Sequence, residues 1–439
     1  MIDVRNEAYK IIVKVINKNI FSDKLLSQMS KRIKESGKDA NLLYALVKGV
    51  IKMQENLDYI TSQFVNADKY GRTSKKVKIL LYMALYQLKY MDKIPEHAAV
   101  HEAVEAAKKL FDEKVAKFVN AVLRSYLRNP EIIYPKDPIL RLAKYYSFPE
   151  EIIAKWIDYW GEENTEHLCT YFNDVPELNV RINYIATDKE KLIKYFKRRN
   201  VTLKKVASSP NIMKTENIQE VLRDIALDEG YFSVQDPSAA LVVELMDPQN
   251  DENILDLFAA PGGKATYTAE IMQNTGEIVA VDKFPGKIKK MKQNISRLKI
   301  SNTKVIREDA FNYGPVAAAY DRVLLDVPCS GWGVFQKKAE LRWQKNQDMD
   351  KLLKLQKDAL KTGASFVRPG GFLVYSTCTL NEEENERQIE RFLKKNKAFT
   401  LVPASEFIQK EYTENGYLKT IPFSHYTDGA FAAKMQKKL

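Results

Sequence analysis

The feature that most constrains the fold is an alternation of short apolar runs with helical stretches over the carboxyl-terminal half of the chain. Strand-like runs are predicted at 254–258, 277–282, 303–307, 322–327 and 371–376, with helical stretches separating them. Alternation of this kind predicts a mostly parallel sheet covered by helices on both faces. The carboxyl ends of parallel strands share one edge of the sheet, and ligands bind at that edge.

The amino-terminal part follows a different pattern. Up to about residue 130 the apolar residues recur with a helical period, as in Val100, Val104, Ala107 and Phe111, so this part is predicted to be an all-α domain. Residues 134–138 contain two prolines and two charges and are typical of a linker, after which 139–160 returns to helical spacing.

Between these parts, strand-like runs at 178–185 and 201–206 flank a basic helix at 189–199. This pattern predicts a small α/β module over about 165–233. The predicted division of the chain is therefore 1–140 for the helical domain, 141–233 for a helical linker with the small module, and 234–439 for the parallel-sheet domain.

Charge favours a polyanionic partner. The 439 residues carry 69 Lys and Arg against 57 Asp and Glu, a net charge of +12, and residues 1–140 hold 25 basic and 16 acidic side chains. This lopsided distribution favours a surface for phosphate groups, while the alternative is a set of solvated helix faces. No stretch reaches the roughly 18 apolar residues of a membrane helix and no signal pattern opens the chain, so we expect a cytoplasmic protein without a membrane partner.

A turn of small residues follows the first strand, in Asp256-Leu-Phe-Ala-Ala-Pro-Gly-Gly-Lys264. Its glycines let the backbone approach a ligand, and a helix beginning near Ala265 would point its amides at that ligand. Two adjacent glycines can also form a plain tight turn. Asp282 favours the ligand interpretation, because it closes the next strand, where an acidic side chain accepts hydrogen bonds from ribose hydroxyls. Asp309 follows the third strand and is placed to reach a base edge.

The cofactor class follows from missing motifs. The sequence has no Gly-x-Gly-x-x-Gly run for a dinucleotide and no Gly-x-x-x-x-Gly-Lys-Ser/Thr loop for a nucleoside triphosphate. A nucleoside without a phosphate chain fits better, and S-adenosylmethionine is the common cofactor of that kind. The predicted cofactor-binding residues are Phe258, Ala259, Ala260, Pro261, Gly262, Gly263, Lys264, Asp282, Asp309 and Asp326.

Two of the three cysteines follow strands of the same sheet, in Asp326-Val-Pro-Cys-Ser-Gly331 and Ser376-Thr-Cys-Thr-Leu380. An isolated cysteine is usually buried and inert, which is the prediction for Cys169, but two cysteines at strand ends of one ligand-binding domain favour a reactive pair. Three separated cysteines fit neither a disulfide framework nor a zinc site. Residues 381–384, Asn-Glu-Glu-Glu, are predicted to be the N-cap and acidic first turn of the following helix.

Other chemistries are disfavoured. His97 and His101 have the spacing of a zinc pair, but no glutamate follows the first histidine and no third ligand is evident, so we expect helix-packing or capping roles and no metal. A cysteine hydrolase needs a histidine base, and His167 and His425 lie near no recognisable motif. A methyltransferase for exocyclic amines is expected to carry Asn-Pro-Pro and an aromatic residue at 326–329, where this chain has a cysteine.

Together the three motifs resemble those of the Sun (Fmu) family of RNA cytosine-5 methyltransferases. Residues 94–100 and 118–124 resemble the NusB-like helical domain of the bacterial RsmB type, which methylates 16S ribosomal RNA, and 232–237 and 427–434 resemble that family's entry to the catalytic domain and its closing strand. The resemblance implies a NusB-like domain, a small α/β module and a Rossmann-like class I methyltransferase domain. Two departures are Phe258, where many relatives have cysteine, and 336–340, where many are richer in arginine, which could alter RNA binding.

The resemblance also implies residue roles. Cys378 would be the nucleophile that adds to C6 of cytosine, and Cys329 would assist release of the methylated RNA. Asp326 would hydrogen-bond N3 or N4 of the base, and Lys264 would lower the thiolate pKa or orient the base; their plainer alternatives are a strand-end cap and a surface charge. The expected partner is small-subunit ribosomal RNA bound by a monomer, with transfer RNA or 23S ribosomal RNA as the alternative and a non-catalytic, antitermination-like RNA-binding factor as a distant one.

Overall fold

A computed structural model describes residues 3–18, 20–35, 40–314, 319–344 and 348–439, with backbone alone at 30, 31, 34, 35 and 219. The chain divides into two compact units. The first comprises 1–174 together with 335–345, and the second comprises 175–334 together with 346–439. The three-part division predicted above groups the residues differently. The helices at 138–173 pack with the amino-terminal helices, and the small module packs with the large sheet.

The first unit is helical. Its core is formed by apolar side chains at helical spacing, including Leu43, Leu46, Val47 and Val50 on one helix, and Asp112 and Asp137 cap helices by accepting hydrogen bonds from backbone amides. The described helices are α1 (Val4–Lys18), α2 (Ser22–Glu35), α3 (Ala40–Lys52), α4 (Gln54–Gln63), α5 (Ala67–Arg72), α6 (Lys75–Tyr90), α7 (Glu96–Leu110), α8 (Glu113–Arg128), α9 (Pro138–Tyr146) and α10 (Glu150–Asn173).

The segment 335–345 completes this helical core. It contains a short 3-10 helix, Ala339–Trp343, and Ala339 is buried in the core. Gln336 donates to the Tyr171 carbonyl at 2.9 Å, and Glu340 accepts from the Ser22 amide at 2.9 Å. Gln336 and Glu340 are both buried within the helical unit. That the segment 336–340 alters RNA binding stays a prediction.

The second unit begins with an antiparallel four-stranded sheet in the order β2-β3-β1-β4. The predicted runs at 178–185 and 201–206 are both shorter as strands. The elements of this small module are β1 (Leu178–Ile182), α11 (Lys189–Lys197), β2 (Lys204–Val206), β3 (Ser209–Thr215), α12 (Ile218–Leu222), α13 (Ile225–Asp228) and β4 (Phe232–Val234).

The remaining elements of this unit form a Rossmann-like layer structure, which confirms the predicted fold class. They are α14 (Pro237–Met246), β5 (Asn253–Asp256), α15 (Gly263–Ile271), β6 (Glu277–Asp282), α16 (Pro285–Arg297), β7 (Thr303–Arg307), β8 (Tyr320–Asp326), α17 (Met349–Phe366), β9 (Val367–Thr377), α18 (Glu386–Lys395), β10 (Phe399–Val402), β11 (Thr413–Glu414), β12 (Tyr417–Thr420), α19 (Pro422–His425) and β13 (Ala430–Lys437).

This large sheet is mixed. Its strands follow the order β11-β12-β13-β9-β8-β5-β6-β7, with β10 also paired to β13. The five strands β7, β6, β5, β8 and β9 are parallel, whereas β13 runs antiparallel to β9 and the strands beyond it are also antiparallel. The prediction of a mostly parallel sheet holds for these five strands. The closing strand expected at 427–434 is β13, Ala430–Lys437.

No helix in the described parts of the chain is both long enough and apolar enough to span a bilayer.

Candidate active site

The carboxyl ends of the five parallel strands bring the predicted site residues to one edge of the sheet. The turn 258–264 follows β5, Asp282 ends β6, Asp309 follows β7, Asp326 ends β8 and Cys378 follows β9. These strands are neighbours in the order β7-β6-β5-β8-β9. All the candidate residues therefore share the edge at which open parallel sheets bind ligands.

The turn 258–264 is tied to Asp282. The Asp282 carboxylate accepts the Ala260 amide at 3.2 Å and the Phe284 amide at 2.9 Å. Gly262 has φ +95°, and a Cβ there would lie 2.7 Å from Cγ of Met291 on α16, so both its conformation and its contact require glycine. Helix α15 starts at Gly263, two residues earlier than predicted.

Asp309 lies at the far side of this edge. Its carboxylate accepts the Phe311 amide at 3.1 Å and the Lys283 ammonium at 3.1 Å. Partial burial alone would raise the pKa of Asp309, but these hydrogen bonds and the charge of Lys283 lower it overall. Phe258, half-buried in the turn, packs edge to face with Phe311, with ring centroids 6.2 Å apart.

Lys264 and Asp326 form an ion pair with Nζ and Oδ2 2.7 Å apart. Asp326 also accepts the Ser376 hydroxyl at 2.9 Å. Burial would lower the pKa of Lys264, yet the Asp326 carboxylate and the nearby Cys378 sulfur raise it overall. Lys264 is therefore held as a cation beside both a carboxylate and a sulfur. Asp326 thus has a partner within the site and does not merely cap its strand.

The sulfur atoms of Cys329 and Cys378 lie 3.4 Å apart and share a hydrogen bond. The Cys378 amide also donates to Sγ of Cys329 at 3.3 Å. The hydrogen bond to Cys378, followed by burial, raises the pKa of the Cys329 thiol well above its usual range. The negative charge of Glu384 adds to this effect, so Cys329 is held as a neutral thiol, while the Lys264 cation lies near the Cys378 sulfur.

Glu384 fixes the loop that carries Cys329. It is fully buried and accepts the Ser330 amide at 2.9 Å, the Gln356 amide nitrogen at 2.9 Å and the Asn381 amide nitrogen at 3.0 Å, as well as the Ser330 hydroxyl. Asn381 stands at the N-cap position of a 3-10 helix, Glu382–Glu384, whose first turn is acidic as predicted, although its side chain accepts no capping hydrogen bond. The longer helix α18 begins separately at Glu386.

The loop that carries Cys378 is held separately. The Thr377 hydroxyl donates to Oδ1 of Asn385 at 2.6 Å, and the Asn385 amide donates to the Thr379 carbonyl at 2.9 Å. The Gly333 amide donates to the Cys378 carbonyl at 3.0 Å. A Cβ at Gly333 would lie 2.0 Å from the Gly429 carbonyl oxygen. Only glycine therefore allows the backbone at Gly333 to approach the segment around Gly429 so closely.

Asp256 is a further acidic group that the motifs did not single out. It is 2 % exposed, accepts the Phe258 amide at 3.3 Å through Oδ1, and its Oδ2 finds no hydrogen-bond partner within the described chain. Burial, aided by the charge of Asp326, raises the pKa of Asp256 to about 7. Glu384 and Asp256 both escaped sequence reasoning because neither spacing nor residue type reveals a buried carboxyl.

Cys169, His97 and His101 were predicted to take no part in catalysis or metal binding. Cys169 is fully buried, and burial raises its pKa, as predicted for an inert thiol. His97 and His101 are exposed on α7, so the expectation that they pack or cap a helix is wrong. Among the described residues, no group of three or more His, Cys, Asp or Glu side chains is arranged to hold a metal ion.

Asp282 and the neighbouring turn fit a nucleoside cofactor by their hydrogen-bonding groups and by the space they leave. Asp282 keeps acceptor capacity beyond its two backbone bonds. Gly263 leaves space beside the turn, since a Cβ there would meet nothing closer than 3.7 Å. Solved structures share this fold: the crystal structure of PH0851 superposes with a TM-score of 0.82 at 25 % identity, covering 100 % of this chain and 99 % of that one. The structure of NSun6 from Pyrococcus horikoshii with SFG gives 0.58 at 22 % identity, covering 66 % and 99 %.

Family models match both ends of the chain. The model described as 16S rRNA methyltransferase RsmB/F matches residues 243–436, and that of the NusB family matches 3–128. Fold and matches together define a Rossmann-like methyltransferase with an amino-terminal NusB domain.

Relatives extend the match to the full length. A probable ribosomal RNA small subunit methyltransferase B of Synechocystis is 34 % identical over 447 residues, covering 100 % of both chains, and that of Bacillus subtilis is 33 % identical over 444 residues, covering 99 % of each. The chain belongs to the ribosomal RNA small subunit methyltransferase B family.

Proposed function

We propose that this protein transfers a methyl group from S-adenosylmethionine to C5 of a cytosine in small-subunit ribosomal RNA. The observation that carries the proposal is the hydrogen-bonded pair of Cys329 and Cys378 beside the Lys264–Asp326 ion pair, at the ligand-binding edge of a Rossmann-like sheet. The names of the full-length relatives, which specify small-subunit ribosomal RNA, support the substrate class. Transfer RNA and 23S ribosomal RNA are the alternatives.

Residues 258–264, Asp282, Asp309 and Asp326 would hold the cofactor. Asp282 would accept hydrogen bonds from the ribose hydroxyls and Asp309 would face the base, while the turn 258–264 would contact the remainder. When bound there, S-adenosylmethionine supplies the electrophilic methyl group that C5 of the cytosine acquires. The residues of the chain perform the remaining steps on the cytosine itself.

Cys378 is the proposed nucleophile. Its thiolate adds to C6 of the cytosine, forming an S–C6 bond and leaving an electron-rich C5. Lys264 favours the thiolate through its positive charge. Asp326, held by Lys264 and Ser376, would accept a hydrogen bond from N4 of the base and keep its ring oriented during the addition. The target base must leave its stack to reach these groups.

Cys329 is assigned to release. While Cys378 is a thiolate, their hydrogen bond keeps Cys329 protonated. Once Cys378 is bound to C6 its negative charge is gone, so the pKa of Cys329 falls and the thiol proton is lost to solvent. The Cys329 thiolate then removes the C5 proton, the S–C6 bond breaks and the Cys378 thiolate is restored. Protons and bonds balance over the cycle.

The test uses small-subunit ribosomal RNA made without modifications, with labelled S-adenosylmethionine and identification of the labelled nucleoside after nuclease digestion. The intact protein is expected to form 5-methylcytidine, and Cys378→Ala to form none while still binding the cofactor. Cys329→Ala is expected to leave RNA covalently attached to protein on a denaturing gel, because addition proceeds and release does not.

Cys169→Ala is the matched control, since Cys169 is buried in the other unit, and it should retain full activity. Label in transfer RNA or 23S ribosomal RNA alone would keep the chemistry and replace the substrate. Full activity of Cys378→Ala, or a labelled nucleoside other than 5-methylcytidine, would refute the mechanism.

A further inference from the structure

A segment of the second unit carries an unusual excess of positive charge. Residues 283–307 contain nine Lys and Arg and no Asp or Glu, whereas the rest of 231–439 contains 21 basic and 26 acidic residues. The charge balance of the whole region conceals this segment, which forms α16, the following turn and β7. We call its exposed cations the α16–β7 strip: Lys283, Lys287, Lys289, Lys290, Lys292, Lys299, Lys304 and Arg307.

The strip lies on one surface. Helix α16 buries Ile288 and Met291 and leaves its lysines exposed, and β7 is the edge strand of the sheet. Lys289 and Lys292 of the helix and Arg307 of the strand line a common open groove of about 640 Å³, together with the polar side chains of Gln293 and Ser296. Cations from two elements thus converge on one groove, and no carboxylate lines it.

The strip is not neutralised by its surroundings. Over the described residues, Lys283 forms an ion pair, with Asp309, whereas Lys289, Lys292 and Arg307 form none. Protection of an edge strand accounts for Lys304 and Arg307 on β7, since lysine is common at such edges, but not for the lysines of α16. A surface that serves solubility alone mixes charges of both signs, whereas no carboxylate lines this groove. A run of unpaired cations along a groove is the electrostatic pattern of a surface that follows a phosphate backbone.

The strip also reaches the candidate active site. Asn294 of α16 donates to the Pro261 carbonyl in the cofactor turn at 3.3 Å, and Phe284 donates its amide to Asp282. The Phe284 ring is 48 % exposed, with the Lys287 ammonium 4.9 Å and the Lys283 ammonium 5.6 Å from its centroid. An exposed aromatic ring between two lysines suits a nucleobase next to a phosphate.

We infer that the α16–β7 strip binds the phosphate backbone of the RNA on the methyltransferase unit, in the groove lined by Lys289, Lys292 and Arg307. The inference rests on the proposed function, since it supposes that the polyanion is the RNA substrate. It assigns part of the RNA contact to the second unit, whereas the charge counts by domain pointed to the helical unit alone.

The experiment measures the affinity of the full-length protein for unmodified small-subunit ribosomal RNA over a range of salt concentrations. The triple variant Lys289→Gln, Lys292→Gln, Arg307→Gln is compared with the triple variant Lys394→Gln, Lys397→Gln, Lys410→Gln. The second set also removes three exposed lysines of the same unit that form no ion pair in the described structure. Both variants should bind S-adenosylmethionine as the intact protein does, which shows that they fold.

Each backbone phosphate contact contributes about 0.7 to 0.9 to the slope of log affinity against log salt. The strip variant is therefore expected to lower that slope by about two and the affinity by about tenfold or more at low salt, whereas the control keeps the slope. Equal slopes for the two variants would overturn the inference and leave the proposed function intact. A lower slope without formation of 5-methylcytidine would uphold the strip as an RNA surface and reject the proposed chemistry.

Discussion

Asp256 and Asp326 end neighbouring strands, but their carboxyl groups have different surroundings. Asp326 is paired with Lys264 and accepts the Ser376 hydroxyl. Asp256 is buried with an oxygen that no described group satisfies, and its pKa is raised to about 7. A carboxyl group in such a site is stabilised by holding a proton. Asp256 therefore exchanges its proton close to neutral pH.

The sign of the resulting pH dependence follows from this pKa. The folded-state pKa of about 7 lies above the ordinary value of 3.8, so the stabilising contribution of Asp256 is complete below pH 3.8 and is lost as the pH rises through 7. Asp256→Asn keeps the neutral form at every pH. Between pH 4.5 and pH 8, its free energy of unfolding relative to wild type is expected to rise by roughly 2 to 4 kcal/mol, as measured by urea unfolding.

Asp309→Asn is the control for this measurement. Because the pKa of Asp309 is lowered overall in the folded protein, its carboxylate stabilises the fold above its ordinary pKa and that contribution is lost on acidification. Between pH 4.5 and pH 8 that contribution is fully present, so the stability of Asp309→Asn relative to wild type should stay nearly constant over this range. Parallel trends for the two variants would contradict the assignment of Asp256.

The sequence identified the residues of the site that belong to a motif and missed those that act through burial. Cys329, Cys378, Lys264 and Asp326 each stand in a distinctive run at a predicted strand end, and they come together as expected. Glu384 stands in a run of three glutamates. Which of the three turns inward depends on how Ser330, Gln356 and Asn381 are arranged around it, and sequence spacing does not specify that arrangement.

Among the elements, β1 and α15 are joined by one buried arginine. Arg181 of β1 is fully buried and donates to both carboxylate oxygens of Glu270 on α15, at 2.9 and 2.6 Å. It also donates to the Gly263 carbonyl at 2.9 Å, near the end of the turn 258–264, where α15 begins. The small module therefore fixes both ends of α15, the helix that carries the turn.

Replacing Arg181 should be costly because it leaves a buried charge unpaired. Arg181→Met is expected to lower the free energy of unfolding by about 3 to 5 kcal/mol, measured by urea unfolding, and to weaken binding of S-adenosylmethionine. The double variant Arg181→Met, Glu270→Leu should regain most of the lost stability, because apolar groups of similar size then replace the ion pair. A double variant as unstable as the single one would show that Glu270 is not the cause.

Sequence patterns predicted the strands of the large sheet well, but they did not predict the contact between Arg181 and α15. Strands β6 and β7 have the predicted bounds. For β6 the reason is that a parallel strand buried on both faces is a continuous apolar run. The four-residue β5 ends before Phe258 because the chain turns there toward Asp282. Arg181 is the one charged residue of β1, and only the packing of α15 against it shows that this charge faces inward.

At the scale of the whole molecule, the domain boundary predicted near residue 140 took no account of a long-range contact made by Arg342. Arg342 is 3 % exposed and donates to the carbonyls of Ser147 and Phe172, at 3.1 and 3.0 Å, and to Oδ1 of Asn173 at 2.9 Å. Its guanidinium lies 3.8 Å from the centroid of the Phe148 ring. These partners lie about 170 to 195 residues away in sequence, beyond the reach of any local pattern.

Arg342→Met should therefore destabilise the helical unit. Three buried acceptors lose their donor, and the free energy of unfolding is expected to fall by roughly 2 to 4 kcal/mol, as followed by helical circular dichroism in urea. Lys338→Met is the matched control, since Lys338 is an exposed cation of the same segment, and it should change stability by less than about 0.5 kcal/mol. Equal effects of the two substitutions would contradict the anchoring role of Arg342.

The return of 335–345 to the helical unit has a consequence for biosynthesis. Phe335 packs with Phe148, Trp156 and Phe172, with ring centroids 5.6 to 6.1 Å apart, yet 160 residues separate this segment from the end of the first part of the unit. At 5 to 20 residues per second a ribosome needs about 8 to 32 s to synthesise them. During that interval the nascent helical unit leaves an aromatic surface uncovered, which makes it a natural client for chaperones acting at the ribosome.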